Sequence, residues 1–274
     1  MTGSVLISFI GEPGNRIAVV SRRPDTRPGA CVLLVPPFGE EMNKTRKMYA
    51  DVASGLAERG IATVLPDLYG TGDSEGEFRD ARWARWIEDL AATCEWSAAQ
   101  GWPVRSMLAT RLGCALAAQA LRAKGLALQR SVFWQPVADG SRFLTQFLRL
   151  RMAASMMDPG GKESASELRK RLRNGEMLEV AGYELSSGLA DDLDAVKLSD
   201  HLAAGFGKLH WMEVVSDPQA PMPGEAERNI AQARAAGLEP NVRLTRGDPF
   251  WASVEIVRIA ELTRESVLAL SAAA

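Results

Sequence analysis

The run Leu108-Ala109-Thr110-Arg111-Leu112-Gly113-Cys114 joins an apolar strand to a helix of small residues through a sharp turn. A serine at the centre of such a G-x-S-x-G turn is an acyl-transfer nucleophile, held clear of strand and helix on strained backbone. Here Ala109 stands at the first glycine position and Arg111 at the nucleophile position. A guanidinium does not attack carbonyls; it binds carboxylates and other anions through a planar fork of donors. At a helix N-terminus it also opposes the dipole by about 0.3–1 kcal/mol. A compensating partner is therefore expected: Asp217, Glu40 or Glu41 in an internal ion pair, an anionic ligand, or both. The Leu112 N–H, one residue further on, is placed as an oxyanion donor.

A triad also needs an acid and a base. Val214-Val215-Ser216-Asp217-Pro218 puts Asp217 after a late strand, where the acid belongs, although Asp-Pro equally starts a turn. The loop Arg246-Gly247-Asp248-Pro249-Phe250-Trp251, where the base belongs, has no histidine. The chain's two histidines, His201 and His210, fall elsewhere and read as structural. Substitute nucleophiles are poor: Thr110 points away from the turn, Cys114 lies one turn into the helix, and Ser74 has no base beside it. Adjacent Glu40 and Glu41 can split their pKa values into an acid and a base. The same two acids also suit a helix N-terminus with no further role. Phe38 and Gly39, after a strand, occupy the place of a second oxyanion donor.

These residues must be positioned by recurring strands and helices. Residues 4–10 and 16–22 read as a hairpin around Gly11-Glu12-Pro13-Gly14-Asn15. Apolar runs at 31–35, 61–65, 104–108, 131–135, 209–215 and 239–244 read as buried strands. Helical periodicity covers 44–59, 80–100, 112–124, 223–236 and 252–270. Between 138 and 200 the periodicity is helical, with no convincing strand. It includes Phe143 to Met152, Met156 and Met157 as a cavity roof or simply a packed face, a hinge candidate at Pro159-Gly160-Gly161, and a charged, solvated helix over 162–173. Trp134 and Trp251, at strand ends, are candidates to line the cleft.

Alternating strands and helices define an α/β protein, a mostly parallel sheet of about eight strands with an inserted helical cap. This is the α/β-hydrolase layout. The core is expected over 1–137 and 201–274, the cap over 138–200. The chain of 274 residues, 46% hydrophobic and 24% charged, has ample material for such a core. A formal charge of −2 gives no basic field for nucleic acid. Three scattered cysteines suggest a reducing compartment and no metal site or cofactor. With no basic leader and no long apolar run, a cytoplasmic, non-transmembrane protein is expected.

Four motifs carry a more specific likeness: Val35-Pro36-Pro37-Phe38-Gly39-Glu40-Glu41-Met42-Asn43-Lys44, Asp67-Leu68-Tyr69-Gly70-Thr71-Gly72-Asp73-Ser74-Glu75-Gly76, Val180-Ala181-Gly182-Tyr183-Glu184-Leu185-Ser186 and Gly247-Asp248-Pro249-Phe250-Trp251. Over nearly its whole length the chain resembles the exosortase A system-associated hydrolases, type 2. The resemblance implies an α/β-hydrolase fold linked to bacterial exopolysaccharide and protein sorting. Its elbow commonly reads G-L-R-x-G, so Arg111 fits that pattern while Ala109 departs from it. Fold does not fix function, and two functions stand.

One is a hydrolase or acyl-transfer enzyme acting on an ester or other carbonyl substrate without a Ser-His-Asp triad. It would use Arg111, Glu40, Glu41 and Asp217, with Phe38, Gly39, Leu112, Ser74 and Trp251 at the substrate. The other is an inactive pseudo-hydrolase that binds a ligand or scaffolds a partner. The expected partners are a small-molecule, glycan or lipid-linked substrate, and a second copy or the other exosortase-associated hydrolase type.

Overall fold

The computed structural model describes residues 3–155 and 163–272. Met156, Met157 and the Pro159-Gly160-Gly161 hinge expected above lie outside the described residues.

Eight strands form one sheet: β1 (Ser4–Ile10), β2 (Ile17–Arg23), β3 (Cys31–Val35), β4 (Ala62–Pro66), β5 (Val104–Thr110), β6 (Arg130–Trp134), β9 (Lys208–Val215) and β10 (Asn241–Arg246). Their spatial order is β1-β2-β4-β3-β5-β6-β9-β10. The β1–β2 hairpin is antiparallel, and β2 also runs antiparallel to β4; all later pairings are parallel. All five residues of β3 and of β6 are buried, as strands covered on both faces require.

The helices divide between the two faces. α1 (Glu40–Ala57) and α8 (Ala260–Ser271) bury Met48, Val52, Leu262 and Leu270 against Val32, Leu34, Val132 and Trp134. α2 (Trp83–Ala99), α3 (Gly113–Lys124) and α7 (Gly224–Ala235) bury Trp86, Leu90, Leu116 and Ile230 on the opposite face with Leu33, Met107 and Phe133. Side chains alternate across each strand, so each face has its own apolar core.

The segment between β6 and β9 carries α4 (Gly140–Ser155), α5 (Ala165–Arg173), the short hairpin β7 (Leu178–Val180) and β8 (Tyr183–Leu185), and α6 (Ser187–Ala195). The hairpin corrects the strand-free expectation. Its turn, Ala181-Gly182, has φ of 50° and 84°, the double positive φ that closes a two-residue hairpin with the twist of its strands. Three-residue strands are too short to show a period of two in sequence.

Two helix boundaries also differ. α1 begins at Glu40, not at 44, because Gly39 takes a φ of 57° that only glycine adopts without strain and so starts the helix early. α8 begins at Ala260, not at 252. Residues 249–253 close in turns instead, and Val254 and Ile256 stay exposed with no apolar face to bury.

Candidate active site

Arg111 sits at the tip of the β5–α3 turn with φ of 56°, one of three non-glycine residues with positive φ among those described. Left-handed backbone costs an arginine about 1–2 kcal/mol, so the surroundings must impose it. They do: the Arg111 N–H donates to the Trp134 carbonyl (2.9 Å), and its own carbonyl accepts from Cys114 N–H (3.1 Å) and Val137 N–H (3.3 Å). The elbow is built as a nucleophile elbow would be, with a guanidinium at its tip.

That guanidinium is held from two sides. Its Nε and Nη2 donate to Glu41 Oε1 at 3.3 and 3.2 Å, and its Cζ lies 5.0 Å from the centre of the Trp251 ring. Both ion-pair side chains are mostly buried, Arg111 14% and Glu41 18% exposed. Glu41 Oε2 is buried and has no hydrogen-bond partner among the described residues. Burial pushes the Glu41 carboxyl up from its ordinary value, and the Arg111 charge only partly restrains it.

Of the three acids named as partners, only Glu41 meets Arg111. Glu40, one residue earlier and about 100° round the helix, accepts from Asn43 Nδ2 at 2.9 Å. Asn43 Nδ2 also donates to the Tyr183 hydroxyl at 3.3 Å, so the Glu-Glu-Met-Asn-Lys motif and the hairpin motif touch. Burial raises the Tyr183 pKa, and the Glu40 charge adds to the effect.

Asp217 is a correction: it is exposed, and its carboxylate accepts from Gln219 N–H (2.9 Å) to start a turn. The proline after it commits the backbone to that turn rather than to the cleft. Ser74 is spoken for as well, donating to the Asp67 carbonyl and accepting from Ala18 N–H (2.8 Å). Cys114 is fully buried, its thiol donates to the Ala109 carbonyl, and burial lifts its pKa far above the usual value. The buried Thr110 hydroxyl lies 2.8 Å from the Tyr49 hydroxyl.

Trp134, expected at the cleft, is fully buried and donates to Ser266 Oγ (2.8 Å) on the α8 side of the sheet. His201 lies near Arg122 at the far end of α3, and His210 among Arg130, Lys208 and Arg243 at the start of β9. Neither is at the elbow end of the sheet. Where a histidine would follow the last strand, Phe250 packs on Trp134 and Trp251 stacks on Arg111.

A cavity of about 290 Å³ opens over this turn. Arg111, Glu40, Glu41 and Lys44 form its polar side, and Phe143, Phe147, Leu150 and Trp251 its apolar side. Lys44 Nζ donates to the Ser253 carbonyl (2.6 Å), tying α1 to the loop that carries Trp251. Phe38 forms the junction with the inserted helices. Its ring lies 5.2–5.7 Å from those of Phe78, Trp86, Phe143 and Phe147. Phe38, Gly39 and Leu112, the expected oxyanion residues, border a second void of about 10 Å³, room for about one water. Among the described residues no cluster of three His, Cys, Asp or Glu side chains gathers to hold a metal, and no helix is long and apolar enough to cross a membrane.

One charged neighbour of the elbow escaped the sequence reading. Glu213, near the end of β9, is 3% exposed and accepts from Trp211 Nε1 at 2.6 Å. Burial lifts its pKa to about 7, against the opposing charge of Arg111. The signal was a lone acid inside the apolar run Leu209-His210-Trp211-Met212-Glu213-Val214-Val215.

Between its ordinary value near 4.5 and about 7, the folded chain keeps a proton on Glu213 that the unfolded chain releases. Stability therefore falls as pH rises through that window and levels off above it, a loss on the order of 3 kcal/mol. Glu213→Gln should remove most of this loss. Urea unfolding of both proteins at pH 5 and pH 8 measures it, and equal pH dependence in the two would refute the assignment.

Fold and elbow together define the α/β-hydrolase superfamily. The sequence profile of the X-Pro dipeptidyl-peptidase (S15) family matches residues 13–159, and the chain belongs to that family. Among curated proteins no sequence matches it. Solved structures with similar folds include Est1E from Butyrivibrio proteoclasticus, 14% identical, covering 95% of each chain with a TM-score of 0.65. Esterases of the fungus Rhizomucor miehei are 15% identical over 98% of this chain and 84% of theirs, with a TM-score of 0.61. The α/β-hydrolase GrgF from Penicillium sp. sh18 is 15% identical over 98% and 99%, with a TM-score of 0.60. At such identities the likeness is one of fold.

Proposed function

We propose that this chain is a ligand-binding protein on a rebuilt hydrolase site, and that its ligand joins a polar, carbonyl-bearing head to an apolar arm. The observation that carries the reading is the clamped Arg111: salt-bridged to Glu41, stacked on Trp251, and seated where a nucleophile would stand. Removing nucleophile and base together leaves only oxyanion and binding contributions to any rate enhancement. Two cations and two carboxylates balance around the cavity, which favours a neutral ester, amide or sugar head over a free anion. Phe143, Phe147 and Leu150 offer the arm an apolar wall. The motif likeness described above supports a place in bacterial exopolysaccharide and exosortase-associated chemistry, with a glycan- or lipid-linked ligand. The inserted segment 138–200 then acts as the roof of the site, and the protein works in the cytoplasm.

A second reading has its own observation. The Oε2 of Glu41, without a hydrogen-bond partner among the described residues and on a carboxyl with a raised pKa, is suited to take a proton from a water attacking a bound carbonyl.

p-Nitrophenyl esters of short and medium acids, with the matching N-acyl amides, separate the two. The binding reading expects saturable amide binding that Phe147→Ala weakens, with ester turnover no faster than in buffer. Arg111→Ser should not create esterase activity, because no histidine follows the last strand. Turnover by the wild type that Glu41→Gln abolishes would establish the catalytic reading instead.

A further inference from the structure

The two edges of the eight-stranded sheet are treated differently. At one edge β10 carries Arg243 and Arg246, and charge on an edge strand discourages pairing with another chain. At the other edge β1 reads Ser4-Val5-Leu6-Ile7-Ser8-Phe9-Ile10, with no charge and no proline. Its seven residues pair with β2 in unbroken register, without a bulge. Val5, Ile7 and Phe9 alternate onto one face and are 51%, 56% and 54% exposed; Leu6 on the other face is 44% exposed. A regular, apolar edge strand with no charged residue of its own, Arg16 lying 6.0 Å from the centre of the Phe9 ring, is an arrangement that soluble proteins otherwise avoid.

We propose that β1 is a homodimer interface, pairing antiparallel with β1 of a second copy about a two-fold axis midway between the two Ile7 residues. The residue order favours this occupant because it is self-complementary. Centred on Ile7, the antiparallel register sets Val5 opposite Phe9 and Ile7 opposite itself, all on one face. The smaller β-branched residue thus meets the aromatic ring, a favourable cross-strand pair. Leu6 meets Ser8 on the other face. The pairing satisfies the outward backbone groups of both edges and extends the sheet to sixteen strands, an isologous contact.

The four exposed apolar side chains present roughly 400 Å² per copy, about half of one partner's share of a standard interface. The edge backbone and the hairpin flank supply the rest, so the dimer dissociates at low concentration. The candidate cavity lies at the elbow end of the central strands, and ligand binding there is independent of the pairing.

Sedimentation velocity on the full chain, from low micromolar to several hundred micromolar, should show a reversible monomer–dimer equilibrium. Ile7→Lys and Ile7→Glu should each weaken it by at least about tenfold, because the axis sets each new charge against its own copy. An equimolar mixture of the two variants should restore dimer as a heterodimer. Unchanged circular dichroism and melting temperature of each variant alone show that the monomer is intact. A wild type that stays monomeric throughout overturns the proposal, as does a mixture that fails to dimerise.

Discussion

Arg111→Ala should lower the unfolding free energy by about 3 kcal/mol at pH 7.5, the usual cost of removing one partner of a buried pair. Two losses add, and nothing offsets them. The Glu41 carboxylate loses the charge of Arg111 inside a cavity where, among the described residues, its second oxygen already has no hydrogen-bond partner. The Trp251 ring loses its cation, worth about 0.5–1 kcal/mol. Alanine gains nothing in return, because it inherits the positive φ of 56°. Arg111→Gly makes the same deletions but relieves the backbone, so it should recover about 1 kcal/mol relative to alanine. The loss should shrink at pH 5, since the orphaned Glu41, already displaced upward by burial, then takes a proton in place of an unpaired charge. Urea unfolding of the three proteins at both pH values measures each part. A cost below about 0.5 kcal/mol at pH 7.5 would mean that the ion pair does not support the fold.

Gly113→Ala should cost about 2–3 kcal/mol, the upper range for overpacking a rigid core. A β-carbon there would lie 2.4 Å from the Pro36 carbonyl oxygen and 3.1 Å from that of Val35. Val35 cannot retreat easily, because it pairs with Ala109 of β5 and its carbonyl accepts from the Tyr49 hydroxyl (2.6 Å); Pro36 follows it directly in the chain. The helix α3 must therefore back away from the loop that carries Phe38 and Gly39, widening the small void they share with Leu112. Melting temperature and amide-ligand affinity should fall together. Cys114→Ala, the adjacent buried position, deletes a single sulfur and is the comparison. Equal losses at both positions would show that close approach at Gly113 is not what sets the cost.

The legible part of this protein was local. Continuous apolar strands, helical periodicity and the small-residue turn at Arg111 each depend on neighbours within a few residues. From them follow the mostly parallel sheet and the arginine at the turn after β5. The Phe38-Gly39-Glu40-Glu41 run reads in sequence either as a cleft wall or as a plain helix N-terminus, and local pattern does not choose between them. Where local signals were weak, the reading erred. Three-residue strands could not announce the β7–β8 hairpin, and Asp217 combined an expected triad position with the stronger turn preference of Asp-Pro.

By itself the sequence put Arg111 at the centre of the turn between an apolar strand and a small-residue helix, and placed the two histidines of the given sequence elsewhere. The tertiary structure alone decided what the arginine does. Helical phase turns Glu41 toward it and Glu40 toward Asn43 and the hairpin. A loop some 140 residues away in sequence brings Trp251 beneath the guanidinium, and β9 holds Glu213 within reach of its field. These are choices among several acids and aromatics of the same chemical type. Only the close packing of distant segments, which admits one partner and excludes the others, separates them.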